Sequence, residues 1–326
     1  MALSDFISQV TTPQLLFFVV GMVAALVESD LKIPEAMSTA MMLFLLCAIG
    51  LKGGVGLSEV SLSEAVFPSI AAVALGVGIV ALGYSVLRRL GFDAANAGSI
   101  AGHCGAVSAV TMVVGFAYLD RLGVPYESFI PALYPFMDSF AIITAIVIAR
   151  FALDRARPGT TRVNIGGLVK HSVRGRSVLV LGAALLVGYI AGAEGTAPIM
   201  PFFGDMFRGI LCLFMLDMGL LAAERLHEWK TLGPKLVGFA LVMPPVHGIL
   251  GVVLGRASGL GVGGATMLGV FAASASYISA PAAMRSALPE GNPSLALTAS
   301  VALIFPFNVF FGVPLYHAVS TFIARL

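Results

Sequence analysis

Two stretches of this 326-residue chain place small and hydroxyl-bearing residues where an apolar helix should run unbroken. The first, NAGSIAGHCGAVSAVTMVVGFA (96–117), carries Gly98, Gly102, Gly105, Ser108 and Thr111 through its middle. The second, LGVFAASASYISAPAAMRSAL (268–288), has Ser274, Ser276 and Ser279 at its centre and Pro281 where a helix would continue. Glycine and proline both weaken a helix interior. A break in lipid frees N–H and C=O groups that only protein or a watery cavity can satisfy. Freed N–H groups at a half-helix N-terminus suit an anion. Freed carbonyls and hydroxyls suit a small hard cation such as Na⁺. The expected anion-binding residues are therefore Gly105, Ala106, Val107, Ser108 and Thr111 in the first stretch, with Ser274, Ala275 and Ser276 in the second. Close packing through small residues explains either stretch alone. Two interrupted segments at matching places in two halves point instead to a transporter's substrate site.

Acidic side chains in apolar runs are the next signal. Asp138 in ALYPFMDSFAIITAI and Asp217 in ILCLFMLDMGLL have apolar neighbours on both sides. A carboxylate at membrane depth is costly unless paired or coordinated, which makes it a functional candidate. Asp138 joins Ser108, Thr111, Ser276 and Ser279 as an expected cation ligand. Asp217 lies nearer the end of its run and can reach the interface. His103 sits in the first break and reads as a packed neutral imidazole. For His247, after Pro244 and Pro245, the expectation is a hydrogen bond that stabilises a kink. GLGVGG (259–264) fits a dinucleotide fingerprint by letter, but no strand precedes it and it reads as a loop. Gly251 and Gly255 form a GxxxG helix contact. Cys47, Cys104 and Cys212 are odd in number and read as buried apolar residues. No P-loop, metalloprotease motif or nucleophile elbow is present, so the chain is not expected to be an enzyme.

The elements that must position these residues follow from composition. The chain is 58% hydrophobic and 11% charged with mean hydropathy +0.97, far from the charge content of a soluble domain. Its net charge of +2 and lack of basic–aromatic clusters argue against nucleic acid as a partner. Ten apolar runs are long enough to span a bilayer: 13–29, 33–51, 66–88, 94–118, 127–151, 177–193, 206–222, 232–255, 262–287 and 295–321. The expected fold is an all-α polytopic membrane protein with two inverted five-helix repeats, 1–152 and 177–326, joined by a polar linker at 153–176. The fourth and ninth helices are expected to break at mid-membrane. A cytoplasmic linker leaves fourteen of the nineteen Lys and Arg residues inside and both termini outside, in the plasma (inner) membrane. Three echoes support the repeat. LLCAIGLKGG (45–54) matches FMLDMGLLAA (214–223) with Gly50 on Gly219, GVPYES (123–128) matches GNPSLA (291–296), and YPFMD (134–138) matches FPFNV (305–309).

IPEA (33–36), AIGLKGG (48–54), GAVSAVTM (105–112), VPYE (124–127), ALYPFMD (132–138), FRGILCLFMLDMG (207–219), AASASYISAP (272–281) and NPS (292–294) together resemble the sodium-dependent bicarbonate transporter family of cyanobacteria. The likeness spans nearly the whole chain in order. It implies ten helices in two inverted repeats, core and gate domains that interleave them, a homotrimer and an elevator-like movement. It also implies bicarbonate and Na⁺ held between the two broken helices, and in some members of the family a PII-like regulator docks on the cytoplasmic face. A carrier of another small organic anion, coupled to Na⁺ or H⁺, is the alternative. The chain departs from the family pattern at Ala109, where a Gly is usual, and at Tyr277, where an Asp is usual. Ala280-Pro281-Ala282 stands in place of Gly-Pro-Pro, and Asp217 is an additional acid.

Overall fold

The computed structural model describes residues 11–59, 61–156, 174–226 and 229–326. Every regular element among them is helical. In chain order they are α1 (Pro13–Leu26), α2 (Glu35–Glu59), α3 (Leu62–Arg89), α4 (Ala94–Gly105), α5 (Ala109–Leu122), α6 (Ile130–Ala156), α7 (Arg176–Thr196), α8 (Phe207–Leu226), α9 (Trp229–Ala257), α10 (Val262–Ala273), α11 (Ser279–Ala287) and a long run α12 (Pro293–Ile323). Most of the expected linker lies outside the described residues.

Among the described residues, seven helical segments are long and apolar enough to cross a membrane, and they describe a multi-pass membrane protein. The sequence led us to expect ten such runs; the remaining three fall short for separate reasons. α1 spans 14 residues, α10 ends after 12 where the chain leaves the helix at Ser274, and α8 carries Arg208, Asp217, Glu224 and Arg225.

The helices pack in two sets. α1 lies on α8 and α2 on α7, each pair meeting through glycines. A Cβ on Gly21 would strike the Leu216 carbonyl of α8, and one on Gly219 the Phe18 carbonyl of α1. In the other pair a Cβ on Gly54 would strike the Leu185 carbonyl, and one on Gly188 the Leu51 carbonyl. Backbones this close gain dispersion contacts along their length, the main attraction between helices in lipid. The second set holds α3, α4 and α6 together, and α9, α10 and α12 together. Gly251 and Gly255 seat α9 against the Ala265–Leu268 stretch of α10, as the GxxxG spacing suggests. Outward positions such as Phe67, Leu186 and Ile190 are exposed and apolar, as lipid-facing positions should be.

α12 is not a plain α-helix. Its hydrogen bonding widens to π-type turns at Ala299–Ile304 and Asn308–Gly312. Such bulges collect at functional sites, and one of them aims Asn308 inward.

Candidate substrate site at the crossing of two broken helices

The first break is three residues long. α4 ends at Gly105, Ala106 is extended (φ −76°, ψ 136°), and Ser108 caps α5 by accepting the Thr111 N–H on its Oγ. The second runs from Ser274, also extended (φ −76°, ψ 166°), to Ile278, the residue before α11. The structure brings the two together. Ser108 N–H donates to Ser274 Oγ at 2.9 Å, and Ser276 N–H donates to the His103 carbonyl at 2.8 Å. Ser274 hands its own proton to the Phe271 carbonyl at 2.8 Å. Chain that leaves one helix is thus satisfied by chain that leaves the other.

Asp138 of α6 joins both breaks. Its Oδ1 accepts Val107 N–H at 3.0 Å from the first and the Ser279 hydroxyl at 3.1 Å from the second. Ser279 also shares a 2.7 Å hydrogen bond with Ser276 Oγ, which in turn accepts Ser279 N–H. Asp138 is fully buried, and its Oδ2 has no partner. Thr111 Oγ1 is likewise buried and unpartnered. An orphaned buried oxygen is costly unless something binds it. A carboxylate oxygen beside hydroxyls is a donor set that a small hard cation accepts.

On the other side of the crossing a neutral residue does the matching work. Asn308 donates to the Ala273 carbonyl at 2.9 Å, the last carbonyl of α10, and to the Ile304 carbonyl at 3.0 Å. Tyr316 Oη donates back to Asn308 Oδ1 at 3.0 Å. Sequence reading passed over Asn308. The echo of YPFMD in FPFNV, one residue from Asp138's match, was the available signal.

The expected site residues fall out as follows. Ser108, Thr111, Ser274, Ser276, Ser279 and Asp138 converge on the crossing. The amides of Ala106, Val107 and Ser108 are already engaged within the protein, by the Gly102 carbonyl, Asp138 and Ser274 respectively. The open donors therefore shift to the first turn of α5, at Ala109 and Val110, whose amides have no intrahelical acceptor. Both residues are buried under Met42, Leu45 and Phe214. Gly105 sits against Val80 and leaves no room for a side chain, and Ala275 is buried. His103 donates through Nδ1–H to the Ser99 carbonyl at 2.8 Å, its Nε2 unpartnered. His247 is buried and its Nε2 has no partner, so this atom does not supply the expected kink-stabilising bond.

GLGVGG is not a nucleotide loop either. Gly261 caps α10 and donates its N–H to Glu127 Oε1 at 2.6 Å. Gly264 leaves the space that Glu127 Oε2 fills, and Gly263 the space taken by the Pro125 carbonyl. The VPYE segment (124–127) therefore docks onto the start of α10, its carboxylate complementing the helix dipole.

Two clefts approach this centre from opposite ends of α2. One, of about 860 Å³, reaches Tyr277, Ile278 and Ser279 of the second break and is lined by Lys32, Arg174, Arg176 and Arg285. The other, of about 840 Å³, stops at Phe116 and Tyr126, where Lys52 bridges Asp120 and Tyr126 at 3.2 Å each. Only the first cleft touches a break.

A family model described as the Na⁺-dependent bicarbonate transporter superfamily matches residues 13–321. The chain belongs to that superfamily. No curated protein matched the chain in the comparison. Family membership makes a small anion the expected substrate class and sodium the expected coupling ion.

Proposed function

We propose that the protein is a secondary active transporter that carries bicarbonate together with Na⁺ across the plasma membrane, using the crossing of the two broken helices as its site. One observation carries the reading. A single buried carboxylate, Asp138, takes an N–H from one break and a hydroxyl from the other, and keeps one oxygen unpartnered. Na⁺ is cargo here, held by Asp138 with the hydroxyls of Ser108, Thr111, Ser276 and Ser279. Bicarbonate takes the α5 first-turn amides and the serines of the second break, where the half-helix dipole favours negative charge.

The paired helix contacts support two inverted five-helix repeats. α1 on α8 is the counterpart of α7 on α2, and the echoed residues Gly50 and Gly219 both sit in these seams. Counting α4 with α5, and α10 with α11, as one broken crossing each then gives ten passages. The glycine seams build the gate, and the second set of helices builds the core. With the linker cytoplasmic, the cleft that reaches Ser279 opens inward and the Lys52–Asp120–Tyr126 contact closes the outer end. Movement of the core past Met42, Leu45 and Phe214, which cover Ala109 and Val110, exposes the anion donors on the other side. The homotrimer and the PII-like regulator rest on the family resemblance.

Uptake of labelled bicarbonate into proteoliposomes, with and without an inward Na⁺ gradient, tests the reading. Gradient-driven accumulation is expected. Equal uptake with choline in place of Na⁺ overturns symport, and competition by a short organic acid but not bicarbonate favours the alternative cargo.

A further inference from the structure

The cleft that reaches the second break contains a second carboxylate that the crossing does not use. Asp217 of α8 is nine-tenths buried and accepts a hydrogen bond from Ser38 Oγ of α2. Tyr277, from the second break, donates its hydroxyl to the neighbouring Met218. Helix periodicity continues the arrangement outward. Glu224 lies two turns beyond Asp217 on α8, Glu35 one turn from Ser38 on α2, and all four line the cleft. Lys32, Arg174, Arg176 and Arg285 line it too, yet among the described residues none of them forms an ion pair with any of these three acids. Ser177 adds an independent sign. It lines the same cleft, is 1% exposed, and its hydroxyl has no partner.

A deep carboxylate with four bases in its cleft and none paired to it is left for a mobile cation. We propose that Asp217 and Ser38 form a second Na⁺ site, ahead of Asp138 on the cleft side, so that two cations act in transport. The carboxylate reaches the second break from the facing helix α8, at the level where the break itself presents Tyr277. Both ligands stand on gate helices in the reading above, beside the Tyr277–Met218 contact with the second break, so movement of the core past them uncovers the ion in one conformation and covers it in the other. The inference rests on the reading above for the identity of the ion but not for the position of the site.

The test compares the wild type, Asp217→Asn, Ser38→Ala and Asp138→Asn as purified full-length proteins that elute as folded species. Two readouts are used: the rise in unfolding temperature when NaCl replaces choline chloride, and the Na⁺ dependence of bicarbonate uptake. Losing one charged ligand should raise the Na⁺ concentration for half-maximal uptake about tenfold or more in Asp217→Asn, and the Hill coefficient should fall from about two to about one. Ser38→Ala should shift the same curve by less. Each Asp variant should keep part of the thermal response to Na⁺, and a protein carrying both Asp138→Asn and Asp217→Asn should keep none. An Asp217→Asn protein whose Na⁺ curve and thermal response superimpose on the wild type overturns the second site while leaving Asp138 in place. A thermal response that survives Asp138→Asn and disappears in Asp217→Asn supports this site and overturns the reading of the crossing.

Discussion

The two broken helices solve one problem with different chemistry. The first break is short, wholly buried, and braced by a carboxylate that accepts a freed N–H. The second is longer, borders the cleft, and is braced by an amide that donates to a freed carbonyl. Their helix starts differ as well. Ser108 caps α5 through its own side chain, whereas Ile278 offers α11 no side-chain cap and only Ser276 Oγ reaches back to Ser279 N–H. The charge is thus confined to one brace, where a counter-ion can answer it, and the neutral brace holds the half that faces water. Two matched breaks need not share their chemistry. One can keep the charge and the other only the geometry.

Removing the charge should have the largest effect. Asp138→Asn keeps an oxygen for Val107 N–H and Ser279, so the fold should persist. Sodium-driven uptake should fall by about ten- to a hundredfold, the value of a hydrogen bond to a charged group. An Asn protein that transports normally with the wild-type Na⁺ dependence would break the distinction between the braces.

The neutral brace should show the reverse balance. Asn308→Leu leaves the Ala273 carbonyl and the Tyr316 hydroxyl without this partner, a stability cost of about 1–3 kcal/mol. Thermal unfolding should report it, while the Na⁺ concentration for half-maximal uptake stays close to the wild type. A variant that shifts the Na⁺ curve and leaves stability intact would assign the second brace to cation binding.

Gly264→Ala probes the first turn of α10. The new methyl would meet Glu127 Oε2, and crowding of this kind costs about 1–3 kcal/mol unless the carboxylate swings away. Shortening the partner in Glu127→Asp should recover part of the loss. Failure of that rescue would mean that Glu127 is not what fills the glycine's space.

The breaks were legible in sequence because Gly105, Ser108, Ser274 and Pro281 are poor choices for an apolar helix. Asp138 stood out because a charge in such a run demands a reason. Asn308 did not, since a neutral polar residue in a membrane helix reads as ordinary packing until its partner is known. Glu127 and the glycines of GLGVGG lie 134 residues apart, so a loop and an unexplained acid were all that the chain order offered. The engaged amides of Val107 and Ser108 were hidden for the same reason: a break advertises free donors, and only tertiary contact reveals that Asp138 and Ser274 have taken them. The structure divides 262–287 at Ser274, within the stretch where a break was expected, and the first half alone is too short to span.

The smallest effect concerns how the weaker-capped half-helix is held at its far end. Arg150 of α6 donates through Nε to the Ala287 carbonyl at 2.7 Å, closing the end of α11, and through its other arm pairs with Glu290 at 2.8 Å. Burial works to raise the Glu290 carboxyl, but hydrogen bonds from its own backbone and from Arg150, with the attraction of that charge, outweigh it and hold it below its ordinary value. A carboxyl held low in the folded protein adds stability that is present above its unfolded value, near pH 4.3, and fades as pH falls through the folded one. Glu290 is half exposed, so solvent screening limits the gain to a few tenths of a kcal/mol. Glu290→Gln should therefore unfold slightly earlier than the wild type at pH 7, and the two curves should converge as pH approaches 4. A gap that widens on acidification would show that α11 is held at its far end by something other than this pair.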